Sequence, residues 1–169
     1  MKLIGAFLIG LASFAAAKKH ESFEKNRIKA MRSLCMALEL MEAELSAKIC
    51  PINELCCFLA ERSELEVKYF FNSIICEMNI LGEKSFSEIW IDAARGSFCF
   101  LDKDELEELC LLGDVLGKFE LDKQLESIKI CRMRFTDVYS KNYNAFPEKK
   151  KMRMAALMAF GAMLIIVLV

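Results

Sequence analysis

The chain has 169 residues, of which 55% are hydrophobic and 28% charged, with a formal net charge of −1. This composition excludes a disordered chain, which needs low hydrophobicity, and an open nucleic-acid-binding platform, which needs a basic excess. The small number of turn residues, with 7 glycines and 2 prolines, also disfavours an all-β fold.

Both ends of the chain are apolar. Residues 3–17 and 154–169 contain no charged side chain, and apolar runs that approach about 20 residues predict transmembrane helices. We therefore divide the chain into a transmembrane helix at 1–17, a helical domain at 18–153 and a second transmembrane helix at 154–169.

Basic side chains beside these segments predict their orientation. Lys18 and Lys19 follow the first segment, and Lys149–Lys151 with Arg153 precede the second. Because positive flanks stay in the cytoplasm, we expect a cytoplasmic central domain with both termini outside. An alternative is a signal peptide cleaved after Ala17, which would leave a secreted, tail-anchored thiol protein. A generic two-span helical adaptor is a third possibility.

Small residues recur at spacings of three or four in both apolar segments, and such spacing lets membrane helices approach closely. We therefore predict that these helices pack on each other or on partner subunits. The small residues are Ala6, Gly10, Ser13 and Ala17 in the first segment and Ala155, Ala159 and Ala162 in the second.

The central domain is predicted to be an all-α, six-helix, bundle-like fold. Its first helix spans 20–48, because five apolar residues recur there with the 3-4-3-4 spacing of a helix-packing seam. These residues are Met31, Leu34, Leu38, Met41 and Leu45. No stretch of alternating β-branched residues predicts a strand.

Local signals predict where the remaining helices begin and end. Further helices are expected to begin near Pro51, Glu64, Ser85, Asp102 and Asp122, which are residues that favour a first helical turn. Expected helix ends are Gly82, Gly96 and Gly117. Asn142, Asn144 and Pro147 are expected to mark the exit from the last helix of the domain.

No motif for catalysis, metal binding or cofactor binding is found. The eight cysteines form no C-x-x-C pair, and most of them lie on apolar helix faces, so we interpret them as reduced residues that pack as small hydrophobes. The only histidine, His20, is predicted to lie among solvated basic residues, and Trp90 in the core. We therefore expect a protein that is not an enzyme.

A paired Leu-Gly pattern occupies the region from Asp104 to Gln124. It consists of Leu109, Leu112-Gly113, Leu116-Gly117 and then Gln124. Together with the two apolar ends and the chain length, this pattern resembles the stage III sporulation protein AB family of endospore-forming bacteria. One departure is the segment 118–122, where that family usually has a polar turn with Ser-Asp.

The resemblance implies a fold and a function. That family is similar to the cytoplasmic domain of the platform protein F of type II secretion and type IV pilus machines. It belongs to a secretion-like channel complex between mother cell and forespore. The resemblance thus implies a location on the mother-cell side of the outer forespore membrane. Implied partners are the stage III sporulation protein AA ATPase and other stage III sporulation membrane subunits.

Two groups of residues are candidates for a partner surface or a family motif. The first is Gly113, Gly117 and Gln124, whose glycines we interpret as structural, one permitting close helix approach and one ending a helix. Direct contact of these glycines with the ATPase is the alternative. The second group is the acidic stretch 102–108, in which Asp104, Glu105 and Glu108 are candidate contact residues.

Overall fold

The computed structural model describes the backbone of residues 2–47, 50–78, 84–118 and 120–168. The described residues form six α-helices and no strand, so the predicted all-α class is confirmed. The helices are α1 (Lys2–Ala47), α2 (Ile52–Arg62), α3 (Leu65–Met78), α4 (Phe86–Ser97), α5 (Lys103–Val115) and α6 (Leu121–Leu168).

The chain forms two compact units. Unit 1 comprises Met1–Ile28 and Ser140–Val169, and unit 2 comprises Lys29–Tyr139. Unit 2 holds α2 to α5 together with the adjoining parts of α1 and α6. The division into two terminal segments and a central domain at 18–153 stays a prediction.

The two long helices correct part of the predicted pattern. The sequence predicts a separate helix that begins near residue 20 and an exit near Pro147, but α1 is one helix of 46 residues and α6 one of 48, with Pro147 inside it. Proline removes one backbone hydrogen bond and its ring crowds the carbonyl of Tyr143, at a cost of about 3 kcal/mol. The helix nevertheless continues beyond Pro147 to Leu168.

Within the chain that the structure describes, no helix is sufficiently long and apolar to span a bilayer. The surroundings of Ala6, Gly10, Ser13, Ala17 and Ala162 lie outside the described residues.

Unit 2 has a continuous hydrophobic core. All five residues of the predicted seam on α1 are buried, and so is Trp90, which confirms these predictions. The Trp90 ring lies 4.8 Å from Phe70 in an edge-to-face arrangement, and Phe70 lies 5.0 Å from Phe98. Successive helices pack on each other, α2 on α3, α3 on α4 and α4 on α5.

Helix starts agree with their sequence signals at most positions. Ser85 is the N-cap of α4 and forms a capping box with Glu88, and Pro51 directly precedes α2. The last helix, α6, begins at Leu121, beside the predicted start at Asp122, although Asp122 lies within its first turn and is not its N-cap. The predicted stop at Gly82 lies outside the described residues.

Candidate functional site

An acidic surface on unit 2 is formed by α5 and α6. We use this name for Asp104, Glu105, Glu108 and Asp137, which line an indentation of about 250 Å³ together with Arg134, Phe135 and Val138. Four carboxylates against one guanidinium give a formal charge of −3 (four minus one). The structure therefore brings three predicted contact residues of α5 beside an acidic residue of α6.

The start of α5 positions the acidic surface. The backbone N–H of Asp102 donates a hydrogen bond of 2.8 Å to Glu105 Oε2. Glu105 thereby forms a capping box with Asp102 at the N-terminus of α5. Acidic residues in a first turn also interact favourably with the positive end of the helix dipole. Asp104 belongs to the same turn and is exposed, which leaves its carboxylate accessible to a partner.

Glu108 and Arg134 form an ion pair that joins α5 to α6. The Glu108 side chain keeps only 19% of its accessible surface, whereas Arg134 keeps 65%. Glu108 therefore holds the two helices at the indentation, while Arg134 remains available to solvent. The part of the site on α6 was missed by sequence reasoning, because Arg134 follows Glu108 by 26 residues and no local pattern connects them.

Gly113 lies where α5 crosses α4. A Cβ atom at this position would lie 2.3 Å from Trp90 Cδ1 and 2.5 Å from Cγ, well inside van der Waals contact. Trp90 Nε1 donates a 2.8 Å hydrogen bond to the Leu109 carbonyl. Ser87, on α4, donates to Asp114, on α5. These contacts agree with the structural interpretation of Gly113, while its contact with a partner stays a prediction.

Gly117 and Gln124 shape the turn between α5 and α6. Gly117 has a φ of +76°, a left-handed conformation that glycine adopts without strain. Its backbone N–H donates to Gln124 Oε1 at 3.3 Å. Leu112 and Leu116, the leucines of the two pairs, are both buried. The Leu-Gly pairs and Gln124 thus occupy structural positions in unit 2.

Within unit 1, ion pairs join the basic flank of the second apolar segment to α1. Lys150 Nζ lies 2.9 Å from Glu21 Oε1, and Arg153 lies 2.6 Å from Glu24 Oε1. The hydrogen bond from Arg153 holds the pKa of Glu24 below its usual value. His20 is exposed, and its Nδ1 lies 3.2 Å from Arg153. The sequence predicted only an orientation from these basic residues, because their acidic partners on α1 precede them by 129 residues and no local pattern connects the two.

The cysteines differ more in exposure than predicted. All eight are free, and we distinguish two buried cysteines, Cys56 and Cys131, from three exposed cysteines, Cys57, Cys76 and Cys99. Burial raises the pKa of both buried thiols to about 12. The expectation of apolar packing is thus wrong for the exposed three. Cys57 and Cys76 lie on the outer faces of α2 and α3, because neighbouring positions of an amphipathic helix face different environments, and Cys99 lies in the turn between α4 and α5.

No group of three or more metal-ligating side chains is arranged to hold an ion within the described ranges.

Two alanines of the predicted membrane-helix packing pattern have side chains that the structure describes. They are Ala155 and Ala159, and both are exposed. Their role in helix packing stays a prediction.

Comparisons with known proteins give a family and a fold. The family model described as stage III sporulation protein AB matches residues 2–169. A solved structure of Stage III sporulation protein AB (SpoIIIAB) is similar to this chain, with a TM-score of 0.64 and 22% identity. The match covers 72% of this chain and 97% of that chain. A comparison with curated protein sequences gives no significant match. The chain belongs to the stage III sporulation protein AB family.

Proposed function

We propose that the chain is a non-enzymatic membrane component of the stage III sporulation channel complex between mother cell and forespore. In this proposal its helical domain faces the cytoplasm and docks a secretion-type ATPase, stage III sporulation protein AA, beside the outer forespore membrane. Membership of the family supports a role in stage III sporulation. The predicted transmembrane segments at 1–17 and 154–169 supply the attachment to the membrane.

The main support for the docking proposal is the acidic surface. Docking requires an accessible surface of defined charge, and Asp104 and Asp137 are exposed beside the same indentation. Complementary charge accelerates association and selects the partner more than it increases affinity. We therefore expect a basic surface on the ATPase and an interaction that weakens as salt concentration rises.

The ion pairs of unit 1 support the proposal that the chain also transmits force. Glu21–Lys150 and Glu24–Arg153 connect the parts of α1 and α6 that adjoin the apolar segments. A domain attached to the membrane through both helices would transmit force from a bound ATPase to other membrane subunits. This role uses binding surfaces and requires no active site.

Co-purification tests the docking proposal. The full chain and the ATPase are co-expressed, extracted in a non-ionic detergent and purified through a tag on the ATPase. We expect the double variant Asp104→Arg/Asp137→Arg to reduce the recovered chain about tenfold or more. The matched control is Glu126→Arg, a charge reversal at another exposed position of α6, which should co-purify as the unchanged chain does.

Two outcomes would contradict docking through this surface. One is equal recovery of the double variant and the control. The other is recovery of the unchanged chain that is insensitive to salt, because an electrostatic contact must weaken when charges are screened. Nucleotide hydrolysis by the purified chain alone would contradict the non-enzymatic part of the proposal.

The proposed topology has a separate test. Alkaline phosphatase is active only outside the cytoplasm, so fusions after Asn144 and after Val169 report the two sides. We expect activity for the fusion after Val169 only. Activity after Asn144 would favour the alternative in which the first segment is a signal peptide and the central domain is exported. In that case, intact mass before and after reduction would reveal disulfides.

A further inference from the structure

Unit 2 carries a second concave surface, which the proposed function does not use. It is a groove of about 430 Å³ between α1 and the turn that joins α2 to α3. We call it the basic groove and define it by three cations and three apolar side chains. They are Lys29, Arg32 and Arg62, with Met36, Leu40 and Leu65.

The wall of the groove on α1 has the spacing of a helix-packing surface. Lys29, Ser33, Met36 and Leu40 follow each other at intervals of four, three and four residues and line the groove. Such a row is the surface against which a second helix packs, and here it extends over about 16 Å. The predicted seam of α1 is buried in the hydrophobic core of unit 2, whereas Met36, on another face of the same helix, is 54% exposed. A part of α1 suited to helix packing is therefore left open.

The charge of the groove is not balanced internally. Within the described ranges, none of Lys29, Arg32 and Arg62 has a carboxylate partner at ion-pair distance, while Arg132 and Arg134 of the same unit are paired with carboxylates. The Arg62 guanidinium lies 3.9 Å over the Phe58 ring, a contact that restricts its position without neutralising its charge. Three cations and the single carboxylate of Glu64 thus line the groove.

The turn beside the groove is strained. Leu65 has a φ of +48° and its side chain is 68% exposed. A left-handed conformation costs a residue with a Cβ about 1–2 kcal/mol, and such strain is often concentrated at binding surfaces. Two residues earlier, the buried Ser63 Oγ has no hydrogen-bond partner in the described structure. Both features lie on the same turn and agree with a surface completed by another molecule.

We propose that the basic groove binds an acidic amphipathic helix of a partner protein. Apolar side chains of that helix would pack on Met36, Leu40 and Leu65. Its carboxylates would pair with Lys29, Arg32 and Arg62. Helices bind in this way when their apolar residues follow the i, i+3, i+4, i+7 pattern. The groove and the acidic surface share no residue, so this proposal can be tested independently of the docking proposal.

The same observations disfavour two other occupants. Anionic lipid headgroups are usually recognised by clusters of about four to eight basic residues, whereas this groove has three and includes Glu64. A second copy of the chain could offer the acidic surface, but those carboxylates line an indentation themselves. An indentation does not insert into a groove, whereas a convex helix does.

A synthetic helix tests the proposal on the full chain in a non-ionic detergent. The probe is a fluorescein-labelled peptide of about 18 residues, or roughly 27 Å of helix, with leucines along one face and glutamates beside them. A scrambled peptide of identical composition lacks that face. We expect saturable binding by fluorescence anisotropy for the probe, and binding about tenfold weaker or more for the scrambled peptide.

A matched pair of charge reversals locates the site. Lys29→Glu lies in the groove, and Lys68→Glu makes the same change at an exposed position of α3 outside it. We expect Lys29→Glu and Arg32→Glu each to weaken probe binding about tenfold, and Lys68→Glu to leave it unchanged. A probe with lysine in place of glutamate should bind the Lys29→Glu/Arg32→Glu variant better than it binds the unchanged chain. Far-ultraviolet circular dichroism verifies that each variant is folded.

Several results would overturn the proposal. They are the absence of saturable binding, equal binding of the scrambled peptide, or equal effects of Lys29→Glu and Lys68→Glu. Two further measurements identify the alternative occupants. If the groove variants lose binding to phosphatidylglycerol vesicles but not to the probe, the occupant is lipid. If they change only the sedimentation of the free protein, the groove joins copies of the chain.

Discussion

Replacement of Gly113 by alanine tests the packing of α4 on α5. The new Cβ would lie 2.3 Å from Trp90 Cδ1 and 2.5 Å from Cγ, whereas carbon atoms in contact prefer about 3.5–4.0 Å. Trp90 has little freedom to yield, because it is 1% exposed, packed against Phe70 and hydrogen-bonded to Leu109. The two helices must therefore separate locally by about 1 Å.

Three contributions determine how much Gly113→Ala changes the free energy of unfolding. Overpacking of a core costs about 1–3 kcal/mol, and loss of the buried Trp90–Leu109 hydrogen bond would cost about 1–3 kcal/mol. Alanine is a better helix former than glycine by about 1 kcal/mol, which offsets part of the loss. These contributions add to an expected decrease of about 1–5 kcal/mol in the free energy of unfolding, or about 2–20 °C in the melting temperature.

The fluorescence of Trp90 provides the assay, because it is the only tryptophan in the chain. Unfolding in urea is followed by this emission and, independently, by far-ultraviolet circular dichroism. Gly96→Ala is the matched control, since a Cβ at that helical position has no neighbour within 4 Å. The control should be neutral or slightly stabilising. The reasoning is refuted if Gly113→Ala is no more destabilising than Gly96→Ala.

Three further predictions concern the α5–α6 turn, unit 1 and the thiols. Gly117→Ala should destabilise the fold by about 1–2 kcal/mol, because its φ of +76° is strained for alanine; an unchanged urea midpoint would contradict this. Since Arg153 holds the pKa of Glu24 below its usual 4.5, the stabilisation exists above pH 4.5 and is lost as pH falls through the folded pKa. Glu24→Gln should therefore lower the free energy of unfolding by about 0.2–1 kcal/mol at neutral pH, and this difference from the unchanged chain should disappear in acid. The control, Glu39→Gln, should leave the free energy of unfolding at neutral pH unchanged. In native protein, iodoacetamide should modify the exposed cysteines rapidly and the buried cysteines only after unfolding, as followed by intact mass; equal rates would contradict the assigned burial.

Much of the helical fold could be predicted from local signals. The capping box at Ser85 and the buried seam of α1 depend on residues within a few positions of each other, and both were predicted. Pro147 is a local signal too, but whether a helix continues through it depends on the residues on both sides. The sequence pattern therefore predicted an exit where α6 continues.

The candidate site was only half predictable for a related reason. Asp104, Glu105 and Glu108 lie together in the sequence, and their clustering on α5 was visible. Asp137 joins them only because α6 packs beside α5, a tertiary contact that no periodicity reports. The same limit applies to Glu24 and Arg153, which are 129 residues apart and form an ion pair in unit 1.

The long separation between α1 and its partners on α6 also has a consequence for synthesis of the chain. Glu42 pairs with Arg132, 90 residues later. At about 5–20 residues per second, the ribosome needs roughly 5–18 s to make the intervening chain. During that interval the apolar seam of α1 cannot be fully covered, so the nascent protein is open to aggregation or to capture by a chaperone. Messages truncated before α6 should yield insoluble fragments, even though most of the core residues have already been made.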